Sequence, residues 1–240
     1  MRDGSTPRCG RQVAAFGGMT SGAGVTDLYS EYGVPGDGAL PIPAETDQSA
    51  GIPCFTPGTM IATANGEQRI EALRVGDRVF TRDHGLQPIR WIGRRRVVAE
   101  GGFAPILIRP KAVQGMTRPL LVSPQHRILF SGLRAALIFG ESEVFVPAEH
   151  LIDGIDVIQH CGGTVTYIHL MFDCHEVIYG NGAPSESFHP GNDSISGVAP
   201  ASREALFQVF PQLRSDVNSF GRTARRCLRK VETEQLRSAS

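Results

Sequence analysis

No run of this 240-residue chain stays apolar for the ~18 residues that a membrane-spanning helix needs, so no transmembrane segment is expected. The start, Met1-Arg2-Asp3-Gly4-Ser5, leads into Gly-, Ala- and Ser-rich sequence without the apolar core of a Sec-type signal peptide. That leaves the cytoplasm, or export by a route that needs no such peptide. Net charge is missing too: 24 Lys and Arg balance 24 Asp and Glu, so nothing global draws the chain to nucleic acid or to an anionic membrane. Cysteine is scarce and odd in number (Cys9, Cys54, Cys161, Cys174, Cys227), with no Cys-x-x-Cys pair. This pattern excludes a disulfide scaffold and a zinc ribbon, and it leaves at least one thiol free. No internal repeat is visible.

What is present is ordinary globular material, 41% hydrophobic and 20% charged, enough for one all-β domain with appendages or for two small domains. A monomer is expected. Residues 1–51 are rich in Gly, Pro, Ala and Ser, with Gly33-Val34-Pro35-Gly36-Asp37-Gly38 as loop, and predict a flexible amino-terminal arm. From Cys54 the texture changes to short alternating runs: Met60–Thr63, Arg78–Thr81, Ile89–Ile92, Ala104–Ile108, Leu120–Val122, Arg127–Phe130 and Thr164–Met171. Turn residues such as Asn65-Gly66 and Val75-Gly76-Asp77 separate them, the mark of many short strands. Beyond residue 191 the spacing turns helical. Ser202 caps a segment with Leu206, Phe210 and Leu213 on one face, which Pro211 should end or kink. A second helical run carries Ala224, Cys227, Leu228, Val231 and Leu236. Its other face holds Arg222, Arg225, Arg226, Arg229 and Lys230, either a solvated helix face or a site for a partner or membrane surface.

Cys54 stands where the arm meets the first strand, so its sulfur is within reach of the carbonyl just before it. Most isolated cysteines are inert small hydrophobes, and position alone does not make this one reactive. The surrounding pattern is more specific. Cys54-Phe55-x-x-Gly58-Thr59-x-Ile61-x-Thr63-x-x-Gly66, followed by Leu73-x-Val75-Gly76-Asp77-x-Val79, resembles the opening block of Hint domains, shared by inteins, Hedgehog autoprocessing domains and bacterial Hint-like modules. Pro88-Ile89-Arg90-Trp91-Ile92-Gly93, Ser123-Pro124-Gln125-His126 and Glu186-Ser187-Phe188-His189-Pro190-Gly191 resemble a bacterial subgroup in particular. The likeness implies an all-β, horseshoe-like Hint domain over 52–191, with residues 192–240 as a carboxy-terminal helical extension.

The resemblance also implies chemistry. In Hint proteins the thiol of the first cysteine attacks the carbonyl of the preceding residue and turns an amide into a thioester, which puts the scissile bond here at Pro53–Cys54. Amide resonance, seen in a rotation barrier of roughly 18–20 kcal/mol, resists that attack. A thiol with pKa about 8.5 needs a base or cation beside it, and the departing Cys54 nitrogen needs a proton. Histidine is the natural supplier. By resemblance, His126 stands in the Thr-x-x-His element as acid/base and Ser123 orients, with Pro124 presetting a type I turn that folds the two toward each other. Without the Cys54 block, His126 would read as a surface turn residue.

Tyr167-Ile168-His169-Leu170, then His175, then Asn181-Gly182, resembles the late block of Hint domains, and the resemblance puts His169 at the place of a catalytic Asp or Cys. On one continuous strand His169 and His175 would lie about 20 Å apart at roughly 3.3 Å per residue, so both approach one amide only if the chain turns near Phe172-Asp173-Cys174. Both are candidates for polarising the carbonyl or oxyanion, against a reading as satisfied structural histidines. A zinc site from His160, Cys161, His169, Cys174 and His175 matches no standard ligand spacing; neither a metal nor a cofactor is expected.

Inteins complete splicing with a terminal His-Asn, and no His-Asn dipeptide occurs in this chain. The expectation is therefore cleavage of the chain's own amino-terminal flank, slow because Pro53 precedes the cysteine, with release to water or to a small nucleophile and without splicing. This is cis-acting autoprocessing rather than classical turnover. The alternative is a Hint-fold module that has become a binding or display domain of a secreted or surface protein and no longer cleaves. An ordinary cysteine hydrolase is a third reading, for which no Asn or Asp is clearly placed to orient His126.

Overall fold

A computed structural model of the chain describes residues 52–238, and the expected amino-terminal arm lies outside the described residues. The described part is mostly β. A nine-stranded sheet runs in the order β14 (Arg226–Cys227), β9 (Glu143–Pro147), β8 (Arg127–Ser131), β13 (Ala183–Glu186), β12 (Val177–Gly180), β1 (Met60–Thr63), β3 (Arg78–Thr81), β4 (Gly85–Pro88). β2 (Gly66–Arg69) pairs β1 alongside that path. Two smaller sheets complete it: β10 (Val157–Gln159), β6 (Ile106–Ile108) and β7 (Leu120–Val122), and the long pair β5 (Trp91–Val98) with β11 (Thr164–Met171). Short helices decorate the strands: α1 (Leu133–Phe139), α2 (Asn192–Ser196), α3 (Pro200–Val209) and α4 (Lys230–Arg237).

The opening block is a set of local turns that aim Phe55 inward. Thr56-Pro57-Gly58-Thr59 closes on a Thr59 N–H to Thr56 O bond of 3.3 Å with Gly58 at φ 84°, the type II turn in which Pro sets the second residue and Gly tolerates the third. Phe55 then bridges two sheets: it exchanges backbone bonds with Ile168 of β11 (3.0 and 2.9 Å) and pairs Val122 at the end of β7. Burying its ring contributes on the order of 2–3 kcal/mol. The space comes from Gly180, where a β-carbon would meet the Phe55 ring at 2.7 Å. Asn181-Gly182 is a two-residue hairpin with both φ positive (50° and 81°), as a type I′ turn demands. Its Asn181 side chain accepts from Met60 N–H and donates to Pro119 O, tying β12–β13 to β1 and to the entry of β7.

The carboxy-terminal region departs from the expected pair of helices. α3 begins at Pro200, two residues before Ser202, and ends at Val209, ahead of Pro211. The stretch around Ala224–Leu228 is not helical. Arg226 and Cys227 add a parallel strand to β9, and Leu228 N–H bonds Phe145 O at 2.8 Å. The helical spacing misleads there because an unpaired edge of β9 offers those backbone groups partners that an isolated helix turn would have to supply itself. Helix α4 starts only at Lys230, and Val231 is exposed rather than on a buried face. Three of the basic residues are already engaged: Arg225 with Asp83 and Glu143, Arg226 with Glu232, and Arg229 with Glu232.

Candidate functional site

Phe55's two bridges hold the preceding peptide link between β7 and β11. Ser123, one residue past β7, receives Cys54 N–H on its Oγ at 2.9 Å, donates its own proton to Ile52 O at 2.6 Å, and bonds Cys54 O through its backbone N–H at 3.0 Å. The Cys54 thiol donates to the same Ile52 oxygen at 2.9 Å. From β11, His169 spans the link: its Nδ1 lies 3.0 Å from Pro53 O and its Nε2 3.7 Å from Cys54 Sγ. With the proton on Nδ1, that ring donates to the carbonyl oxygen and turns the lone pair of Nε2 toward the thiol.

His169 is held by three residues that two of the noted motifs supply. In the β5–β11 register it faces Gly93, two positions from Trp91 on the same side of the strand. The Trp91 ring stacks on the imidazole (centroids 6.1 Å apart, 17° between planes), and Phe188 meets it edge-on at 5.2 Å. Trp91 is pinned in turn by its indole N–H to Ser202 O of α3, 3.1 Å. A β-carbon at position 93 would fall inside the Trp91 ring edge and 3.0 Å from His169 Cδ2. Gly93→Ala is therefore expected to cost about 1–3 kcal/mol by overpacking, read as a lower urea midpoint, and to turn the imidazole off the link.

Burial pushes the Cys54 thiol well above its ordinary value, against the lowering by Ser123 and by the Arg95 guanidinium. The thiol is thus held in its protonated form, and any attack by the sulfur would need a base to take that proton. Burial likewise pulls His169 down to about 4, Pro53 O opposing and Arg95 reinforcing, so at neutral pH it is an unprotonated base. A cavity with room for about one water molecule opens beside the sulfur, lined by Ile52, Arg95, Phe103, Tyr167 and His169 among others.

The other two expected histidines are placed differently. His126 is not on the surface: it is 1% exposed, packs its ring 4.3 Å from Phe55, and has no partner for either ring nitrogen among the described residues. It makes no hydrogen bond to the Pro53–Cys54 link, although its backbone N–H closes the expected turn on Ser123 O at 3.0 Å. Burial also takes its pKa to about 4. His175 is a correction. The chain does bend at Asp173-Cys174, but the bend carries His175 away from the link. Its Nδ1 accepts from Ala224 N–H at 3.0 Å, so Nε2 carries the proton, and it faces Ser187 O at 3.1 Å and Glu186 at 3.3 Å. With both nitrogens satisfied, it has no atom left for the carbonyl.

Sequence reasoning missed Arg95, which faces Tyr167 across the same strand pair. An Arg within Arg94-Arg95-Arg96 carries no signal of its own; only the register singles it out. The zinc alternative does not assemble, because His169 and His175 have gone to the separate places just described.

Acid should weaken the fold. His126 and His169 titrate near 4 when folded and near 6.5 when unfolded, so the unfolded chain binds more protons between those values. Their contribution is complete above about pH 6.5 and is lost as pH falls through about 4. Thermal melts at pH 7, 5.5 and 4 are expected to show a steadily falling midpoint, with a shallower fall in His126→Phe.

No curated protein matches this chain. Among solved structures it is similar to a bacterial intein-like domain from Clostridium thermocellum, at 15% identity and TM-score 0.41 over 57% of this chain and 99% of that one. It is also similar to the AceL NrdHF class 3 split intein (15% identity, TM-score 0.37, 56% of this chain and 97% of that one) and to the gp41-1 intein (12%, 0.35, 56% and 98%). The family model described as Hint domain matches residues 53–192, more than half of the sequence, and the chain belongs to that family.

Proposed function

We propose that this protein is a cis-acting self-processing domain that converts the Pro53–Cys54 amide into a thioester and releases the amino-terminal flank to water. The observation that carries the reading is the single imidazole that reaches both reacting atoms, 3.0 Å from Pro53 O and 3.7 Å from Cys54 Sγ. As the sulfur bonds to the Pro53 carbonyl carbon, the thiol proton passes to His169 Nε2, and Nδ1–H donates to the oxygen that gains the negative charge. Collapse of the tetrahedral centre breaks the C–N bond. The proton taken by His169 ends on the departing Cys54 nitrogen, with the Ser123 hydroxyl, 2.9 Å from that nitrogen, as carrier. His126, whose ring nitrogens have no partner among the described residues, stays a second acid/base candidate through the turn it shares with Ser123. Water then attacks the thioester carbon, leaving a carboxylate at Pro53 and a thiol at Cys54. A cavity sized for about one water supports this nucleophile over a bulky one.

Intact-mass measurement on freshly expressed full-length chain tests the reading. A fragment beginning at Cys54 is expected, slowly in buffer and faster with hydroxylamine or an added thiol, which capture the thioester. A chain that stays whole in all three conditions while folded overturns cleavage and favours the binding or display reading.

A further inference from the structure

We propose that His84, Cys174 and Glu176 form a binding site for a divalent metal ion of zinc-like softness, separate from the Cys54 site. His84 ends the turn between β3 and β4, and Cys174 and Glu176 lie in the bend after β11. Their ligating atoms all fall within 4.8 Å of one another. The set combines an imidazole, a thiol and a carboxylate, the mixture that zinc prefers over magnesium or calcium, and three protein ligands leave the fourth tetrahedral position to water.

The second observation is the state of Glu176. Its side chain is 2% exposed, yet among the described residues no Lys or Arg reaches it. Its carboxylate has His84 Nδ1 at 2.9 and 3.1 Å and accepts from the Cys174 thiol at 3.0 Å. A buried carboxylate needs a cation, and an imidazole is one only when protonated. The backbone beneath is fixed, with Glu176 N–H on Ser187 Oγ and Ser187 N–H on Glu176 O, both 2.9 Å, so the carboxylate is held in place. Around a tetrahedral zinc the ligand atoms sit about 3.3–3.8 Å apart, less than 1 Å wider than the His–Glu and Cys–Glu distances here. On binding, the Cys174 S–H bond breaks, its proton goes to solvent, and a metal–sulfur bond forms. The ion would clamp the β3–β4 hairpin to the bend that carries His175.

Cobalt(II) titration of the metal-free full-length protein, followed by absorbance, is the test. The expected result is one ion per chain, a thiolate-to-cobalt charge-transfer band, release of about one proton per ion, and displacement by zinc but not by an equal concentration of magnesium. The band should vanish in Cys174→Ser, persist in Cys54→Ala, and require at least about tenfold more cobalt in His84→Ala, with the far-UV circular dichroism of each variant checked against the unaltered chain. A wild-type protein without the band overturns the site. So does a band that survives Cys174→Ser, disappears in Cys54→Ala, or yields to magnesium.

Discussion

Cys54→Ala is expected to remain a single species at full mass, and His169→Ala to release the Cys54-begun fragment at least about 10²-fold and up to about 10⁴-fold more slowly than the unaltered chain. The size follows from what the ring does. Removing it takes away the base for a thiol that burial keeps protonated, together with the donor to Pro53 O. The pH profile separates this role from a structural one. A neutral thiol attacking with the help of a base whose pKa is about 4 gives a rate that is flat from about pH 6 to 8. A reaction limited by free thiolate would instead climb tenfold per pH unit over that range. A flat profile in the unaltered chain that becomes a steep one in His169→Ala is the signature of the general base. A steep profile in both would remove His169 from the chemistry, whatever its distance from the sulfur.

How much of this the sequence carried depends on the range of each interaction. The geometry around the Pro53–Cys54 junction was partly legible because its signals are local: a cysteine ahead of the first strand, Ser123-Pro124-Gln125-His126 closing on itself, a bend at Asp173. Seven strands between Met60 and Met171 (β1, β3, β5, β6, β7, β8 and β11) were legible for the same reason, since alternation needs only neighbouring residues, whereas β2, β4, β9 and β10 were not singled out. What was not legible was register. That His169 rather than His175 meets the link depends on which residue of β5 lies opposite it, and Gly93 is 76 positions away in the chain. Trp91, Gly93 and Phe188 stood out as motif residues, but only the folded strand pair shows that they hold an imidazole. His126 fits neither simple reading, being neither a surface residue nor bonded to the link. The carboxy-terminal error has the same root: Arg226-Cys227 follows helical spacing, and the open edge of β9 decides otherwise. Helix α1 gave no amphipathic signal because three of its apolar residues, Leu133, Leu137 and Ile138, are exposed while Ala135 and Phe139 face the core.

Glu186→Ala is expected to lower stability by about 3–5 kcal/mol, the typical cost of leaving one member of a buried ion pair without its partner. Glu186 is fully buried between strands β13 and β8. It accepts from Arg127 N–H at 2.8 Å and from the Arg127 guanidinium at 2.9 Å, and His175 Nε2 lies 3.3 Å from it. Burial opposes its charge, but Arg127 and His175 outweigh that and hold the carboxyl below its ordinary value. Its contribution is therefore present above the unfolded carboxylate pKa near 4.5 and lost as pH falls further. The urea midpoint should drop sharply at pH 7 with an unchanged slope, and added salt should not restore it, because the pair is out of reach of screening ions. The loss should shrink toward pH 4, where the Glu186 carboxylate of the unfolded chain begins to protonate. Cleavage gives the complementary readout. Glu186 touches neither Cys54 nor His169, so whatever fraction of the variant remains folded should form the Cys54-begun fragment at close to the unaltered rate. A stable variant that fails to cleave would instead mean that its charge acts on the reaction through His126, which feels it across the same buried cluster.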